Sequence, residues 1–268
     1  MGYNYTVTVT EANQGGRPAI VTRASIVTVG RELGMAALSV AAVAGRLGVS
    51  PAALYRHVEN RWHLERLVGE SLLADLSLDA AVGPGVPNDL ETQLLRFGRV
   101  LHDFAAARPG LADYLLTLFP RGETGLRLME TEAAALRARG LADDAAVAAS
   151  NAVASMAFAL VAAEERRRDA AAGDHDGGFA VELQAATDRF EAQPWLAAVV
   201  PALPEVSGED YGRLLLATFV RGLVATLGAE PGAATSDSIV ADLSGRLVRA
   251  GEPPIDPHPR TTPNPLEG

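Results

Sequence analysis

Residues 38–58 read Leu38-Ser-Val-Ala-Ala-Val-Ala-Gly-Arg-Leu-Gly-Val-Ser-Pro-Ala-Ala-Leu-Tyr-Arg-His-Val58. Ser39 can cap a helix that begins at Val40, and Val43 and Leu47 stand four apart on one face. Gly48 permits a sharp turn, and Val49 fills the angle it makes. Ser50 can cap a second helix whose first residue, Pro51, has no N–H to leave unpaired. Leu54 and Val58 complete an apolar wedge. Two short helices, at 40–47 and 51–57, joined through a glycine turn form the frame a groove-reading helix needs.

The outward residues of this frame have the chemistry of a nucleic-acid contact. Ala52 and Ala53 keep the second helix slim enough to lie deep in a major groove. Arg56 can reach base edges, most naturally guanine O6 and N7. Ser39, Ser50, Tyr55 and His57 are short or planar donors for phosphate oxygens, and Arg46 adds charge. Arg61 opens the next helix and brings donors to a helix N-terminus. Overall the chain of 268 residues carries a net charge of −10. Residues 17–67, however, hold seven arginines against three glutamates. A basic head on an acidic body favours a localised anionic partner over general nucleic-acid affinity.

Composition excludes several chemistries. No cysteine is present, and all 23 basic residues are arginine. Disulfides, thiolate metal sites, cysteine nucleophiles, P-loop lysines and Schiff bases are therefore ruled out. No Gly-x-Ser-x-Gly elbow occurs. His57-x-Glu59 and His63-x-Glu65 diverge on a helix, so no metal site or other cofactor is expected. Residues 1–17 lack the apolar stretch of a secretory signal. Ala145 to Ala163 is uncharged and approaches a bilayer span, but it is mostly alanine broken by Ser150, Asn151 and Ser155. A helix buried in a soluble protein, with no membrane partner, is the expectation.

Abundant alanine, few aromatics and no alternating runs predict an all-α chain. A disordered arm is expected at 1–17 and a helix from Pro18 to Leu33, ended by Gly34. The two short helices follow, then a longer one from Arg61 to about Ser77. After the break at 82–88, with Asn88 as a cap, helical patterns occupy 89–107, 110–118, 122–139 and 143–171. Further helices are expected near 179–192, 209–227 and 236–250, with a loop holding one helical turn at 193–208. Residues 251–268 read as a disordered tail.

Ser-Pro-Ala-Ala-Leu-Tyr-Arg-His-Val-Glu-Asn-Arg, ending at Arg61, resembles the signature of the tetracycline-repressor-like (TetR) family. The likeness covers roughly residues 18–70, with Val58 and Asn60 similar to the tetracycline-repressor branch. It implies a three-helix DNA-binding domain at 18–63 and a regulatory, ligand-binding and dimerisation domain at 64–250. It also implies a cytoplasmic repressor released by a small molecule from a palindromic double-stranded DNA operator. Homodimerisation is expected through helices near 143–171 and 209–227. The second carries Tyr211, Leu214, Leu215, Thr218, Phe219, Gly222 and Leu223 at helical spacing. Candidate cavity walls are Phe97, Leu101, Leu118, Phe119, Met129, Met156 and Phe158, with His102, Tyr114 and Asn151 as polar anchors. No convergent acid–base cluster indicates an enzyme. A helical small-molecule-binding protein or enzyme whose helix-turn-helix corner is only structural stays open as the alternative.

Overall fold

A computed structural model of the protein describes residues 21–83, 85, 89–117, 119–175, 177–199 and 208–227. The fold is all-α, with no strand among the described residues. In order, α1 spans Arg23–Ala37, α2 Val40–Leu47, α3 Pro51–Leu54, α4 Arg61–Leu73, α5 Asp79–Val82 and α6 Leu90–Ala106. Then follow α7 at Leu111–Thr117, α8 at Glu123–Arg137, α9 at Asp143–Ala172, α10 at Gly178–Glu191, α11 at Pro194–Val199 and α12 at Gly208–Leu227. The expected arm, the helix at 236–250, the tail and Leu118 lie outside the described residues.

Local chemistry explains most boundaries. Helix α1 begins at Arg23, later than the expected Pro18, because Thr22 and Ser25 cap each other's backbone in a reciprocal box. Gly34, at φ 73°, interrupts the regular turn as expected, but hydrogen bonding resumes to Ala37. Helix α3 is shorter than the expected 51–57. After Leu54 the chain tightens, with His57 N–H donating to Leu54 O at 2.8 Å. Helix α4 stops at Leu73, where Ala74 N–H donates to Glu70 O at 3.1 Å. Asp89 caps α6 by accepting from Thr92 N–H at 2.7 Å, and the expected cap, Asn88, lies outside the described residues. That hydrogen bond holds the Asp89 carboxyl below its ordinary pKa.

The turn between α2 and α3 depends on Gly48, which has φ 67° and ψ 31°. Its N–H donates to Gly45 O at 3.2 Å, and Val49 N–H reaches Ala44 O at 3.0 Å, satisfying the carbonyls at the helix end. A Cβ at residue 48 would meet nothing within 4 Å, so only the left-handed backbone opposes a side chain. Gly48→Ala is expected to cost about 1 kcal/mol in urea unfolding, and Gly48→Asn less. Equal stability of Gly48→Ala and the unaltered protein would contradict the left-handed cap.

Helix α9 carries the core of the body. By length and composition it is apolar enough to cross a membrane, yet it packs against α6, α7, α8 and α12. Ala145, Ala146, Ala149, Val153, Ala157, Val161 and Ala162 are buried there, so small side chains bring neighbouring helices close. Gly98 of α6 lies at one such close approach. A Cβ there would stand 3.0 Å from Val153 of α9 and 3.1 Å from Leu216 of α12. Helix α9 is therefore the core helix of a bundle.

The head formed by α1–α3 meets this body through α4, α7 and α8. Helix α4 packs on α1 at one face, on α7 and α8 at others, and runs unbroken across residue 63. The end of α1 also touches the α6–α7 turn, where Ala36 N–H donates to Pro109 O at 3.1 Å. Gly110 follows with φ +80°, and Glu165 of α9 accepts from its N–H at 3.3 Å. Burial raises the pKa of the Glu165 carboxyl, and Asp113 raises it further.

Candidate nucleic-acid interface and ligand cavity

Val43, Ala44, Leu54, Val58 and Leu64 are buried in the wedge of the head and fix the relation of α2, α3 and α4. This leaves Pro51, Ala52, Tyr55 and Arg56 on the outside, with Ala53 and His57 half-buried. Tyr55 is 54% exposed. Arg56 makes no hydrogen bond or ion pair among the described residues. Ser39 accepts from Ala42 N–H at 3.0 Å and Ser50 from Ala53 N–H at 3.3 Å. Each cap occupies an acceptor position of the hydroxyl, so its O–H still has a proton to donate outward.

Two of the arginines singled out from the sequence have partners. Arg46 pairs with Glu32 at 3.1 Å, both side chains more than half exposed. Such a pair contributes little to stability and yields readily to a competing anion. Arg61 pairs through Nε with Glu65 at 2.7 Å. Glu65 is held from its other side by Arg121 at 3.3 Å. Arg121 itself lies over the ring of Tyr114 at 4.5 Å and that of Trp62 at 5.1 Å. Trp62 is 57% exposed beside Arg61, yet sequence reasoning passed it over. A tryptophan on the first turn after the Leu-Tyr-x-His run was the available signal. The partnership with Arg121 spans too many residues to be read from spacing.

A narrow cavity opens between α4, α6, α8 and α9, with about 30 Å³ of free space behind a mouth open to solvent. Phe97 and Leu101 of α6, Met129 of α8, Phe158 of α9 and Phe119 form walls, as do Leu73, Leu76, Leu78, Leu128 and Ala154. Ser150 and Asn151 are the polar lining residues. Asn151 is exposed at the mouth and also borders an outer groove with Leu116, Thr117 and Ser155. Three expected ligand residues lie elsewhere. His102 borders a separate groove shared by α6, α9 and α12, with its Nδ1 3.0 Å from an Asp103 carboxylate oxygen. One residue past Leu101 turns a side chain about 100° around the helix, which takes it off the cavity face. Tyr114 faces α4, where a Cβ on Gly69 would stand 2.3 Å from its ring. Burial pushes the Tyr114 pKa up to about 12, so its phenol is neutral. Met156 is half-buried on a different stripe of α9 and is not a lining residue.

A polar pair missed by sequence reasoning sits one helical turn beyond the cavity. Gln93 precedes Phe97 by four residues and Glu132 follows Leu128 by four; both are fully buried. Gln93 Nε2 donates to Glu132 Oε1 at 3.2 Å, while Gln93 Oε1 and Glu132 Oε2 have no hydrogen-bond partner. Burial pushes the Glu132 carboxyl up to about 7, opposed by the Gln93 hydrogen bond and by Arg139. No group of three or more histidine, aspartate or glutamate side chains that could hold a metal occurs among the described residues.

Comparisons with known proteins agree with this architecture. The family model "Tetracyclin repressor-like, C-terminal domain" matches residues 84–225. Comparison with curated protein sequences gave no match. The crystal structure of the Streptomyces coelicolor TetR family protein ActR in complex with (S)-DNPA is 25% identical. It covers 78% of this chain and 100% of its own, with a TM-score of 0.62. ActR with actinorhodin, at 24% identity, covers the same shares with a TM-score of 0.61. SCO7222, a TetR transcriptional regulator of the same organism, is 19% identical and covers 76% of this chain and 98% of its own, with a TM-score of 0.52. The last two establish likeness of fold alone. With the family model spanning more than half its length, the chain belongs to the tetracycline-repressor-like (TetR) family of transcriptional regulators.

Proposed function

We propose that the protein is a cytoplasmic, homodimeric, sequence-specific DNA-binding repressor, released from its operator by a small molecule bound in the α4–α6–α8–α9 cavity. The observation that carries the DNA part is the exposed Tyr55-Arg56 pair beyond α3, on a wedge whose capping leaves outward donors free. Arg56 reads base edges, while Pro51, Ala52 and Ala53 present a slim surface to the groove. Ser39, Ser50, Tyr55 and His57 donate to phosphates. Arg46 and Arg61 supply charge, each exchanging a carboxylate partner for the backbone of the duplex.

Dimerisation is supported by the outer face of α12. Leu216, Val220 and Leu227 turn inward, whereas Tyr211, Leu214, Leu215, Thr218 and Gly222 are exposed along one stripe. An apolar stripe of this kind suits a two-fold interface built with α9, giving two heads for two half-sites about 34–36 Å or more apart. Ligand and operator then oppose each other by one reciprocal coupling free energy.

The test is selection of DNA from a random pool by the full chain, followed by binding measured against salt. A palindromic sequence bound with a steep salt dependence is the expected result; no enrichment overturns the reading. Arg56→Ala should lower affinity for the selected site by about 1–3 kcal/mol and relax preference at one base pair. Arg61→Ala should weaken all sequences alike and reduce the salt slope by about one ion. Equal, sequence-independent losses at both positions would remove the distinction between base reading and phosphate positioning.

A further inference from the structure

Ser150 lies inside the cavity with 2% of its surface exposed, and its hydroxyl has no hydrogen-bond partner. A helical serine ordinarily bonds back to the carbonyl one turn earlier. A buried hydroxyl left without a partner costs about 1–3 kcal/mol. Nothing around it compensates, because the other inner lining residues are leucine, phenylalanine, methionine and alanine. No ionisable side chain lines the cavity. A charged ligand would therefore shed its water without finding a counter-charge, whereas an apolar body would bury its surface against the walls.

We propose that this cavity takes an uncharged, mostly apolar ring compound bearing one hydrogen-bonding group, and that Ser150 Oγ is the anchor for that group. Asn151, at the mouth, serves the end of the molecule that stays nearer water. The inference rests on the reading of this cavity as the effector site and specifies the class of molecule it admits. The nearest buried carboxyl, Glu132, lies a turn away on α8 and is engaged by Gln93 of α6, with Arg139 as the cation acting on it. It offers an incoming anion no attraction.

The experiment uses the full chain without DNA and three probes sharing one pair of rings: 4-phenylphenol, biphenyl and biphenyl-4-carboxylate. Binding is followed by thermal shift and by calorimetric titration at pH 7. The phenol should bind about three- to tenfold more tightly than biphenyl, the value of one added hydrogen bond. The carboxylate should bind at least about a hundredfold more weakly than the phenol. Ser150→Ala should erase the advantage of the phenol over biphenyl. Ala154→Leu, which fills the cavity, should abolish binding of all three.

Carboxylate binding equal to that of the phenol, or a phenol advantage that survives Ser150→Ala, overturns the assignment. Binding that persists in Ala154→Leu does so too, since it places the probes elsewhere. If no probe binds while an operator is still selected, the ligand class falls and the DNA-binding reading stands. If the probes behave as expected and no DNA is selected, the converse holds.

Discussion

Glu132→Gln should make the protein more stable at pH 8 and flatten the pH dependence of its unfolding. Glu132 is fully buried on α8, its Oε1 accepts from Gln93 Nε2 at 3.2 Å, and its Oε2 has no hydrogen-bond partner. Burial pushes this carboxyl from an ordinary 4.5 up to about 7 in the folded chain. The folded state therefore keeps a proton that the unfolded chain has already released. The resulting stabilisation is fully present below the unfolded value and is lost as pH rises through about 7. A shift of that size corresponds to roughly 3 kcal/mol across the window. Glutamine keeps an amide partner for Gln93 and cannot ionise. Urea unfolding at several values between pH 5 and 8.5 checks this. The unaltered protein should weaken across the range and the variant much less. Glu165, whose pKa is raised in the same direction by burial, should leave a residual slope. The same fall in both proteins would show that Glu132 is not the group responsible.

The second large effect belongs to Gly110→Ala. A side chain here faces two costs at once. The backbone is left-handed at φ +80°, and the new Cβ would stand 2.5 Å from Ala36 N and 2.8 Å from Ala36 Cα. The obstruction is backbone at the end of α1, so no rotamer change relieves it. The strain and the forced displacement together should cost about 3 kcal/mol. The damage should centre on the contact between head and body, where Ala36 N–H donates to Pro109 O. Hydrogen exchange at the Ala36 amide should accelerate more than exchange in the α9 core. A change in stability under about 0.5 kcal/mol would mean that α1 does not close on this turn.

How far each part was legible follows from the range of the interactions that make it. Ser39, Gly48, Ser50 and Pro51 act on residues within four or five positions, so the head could be read from its own sequence. Helices α6, α8, α9 and α12 begin and end close to where their punctuation puts them. The cavity was half legible, because the phase of α6 identifies Phe97 and Leu101 but gives no reason to expect His102 on another face. Tyr114 reads as a plausible anchor until the fold brings Gly69 and Arg121 against it. The Gln93–Glu132 pair joins positions 39 residues apart. Polar residues on the apolar stripes of α6 and α8 were the only local hint of that pair.

The grip on α4 sets its mechanics. At Gly30 α1 approaches so closely that an added Cβ would stand 2.3 Å from Val68, and Gly69, the next residue of α4, meets the Tyr114 ring as tightly. Adjacent residues on neighbouring faces are thus held most closely at one level of the rod. A tilt of α4 that kept these contacts and released Glu65 from Arg121 would turn about that level. Leu73, in the cavity wall, lies about 6 Å to one side at 1.5 Å per residue, and Arg61 about 12 Å to the other. Tilting α4 about this pivot carries Arg61 roughly twice as far as Leu73, in the opposite direction.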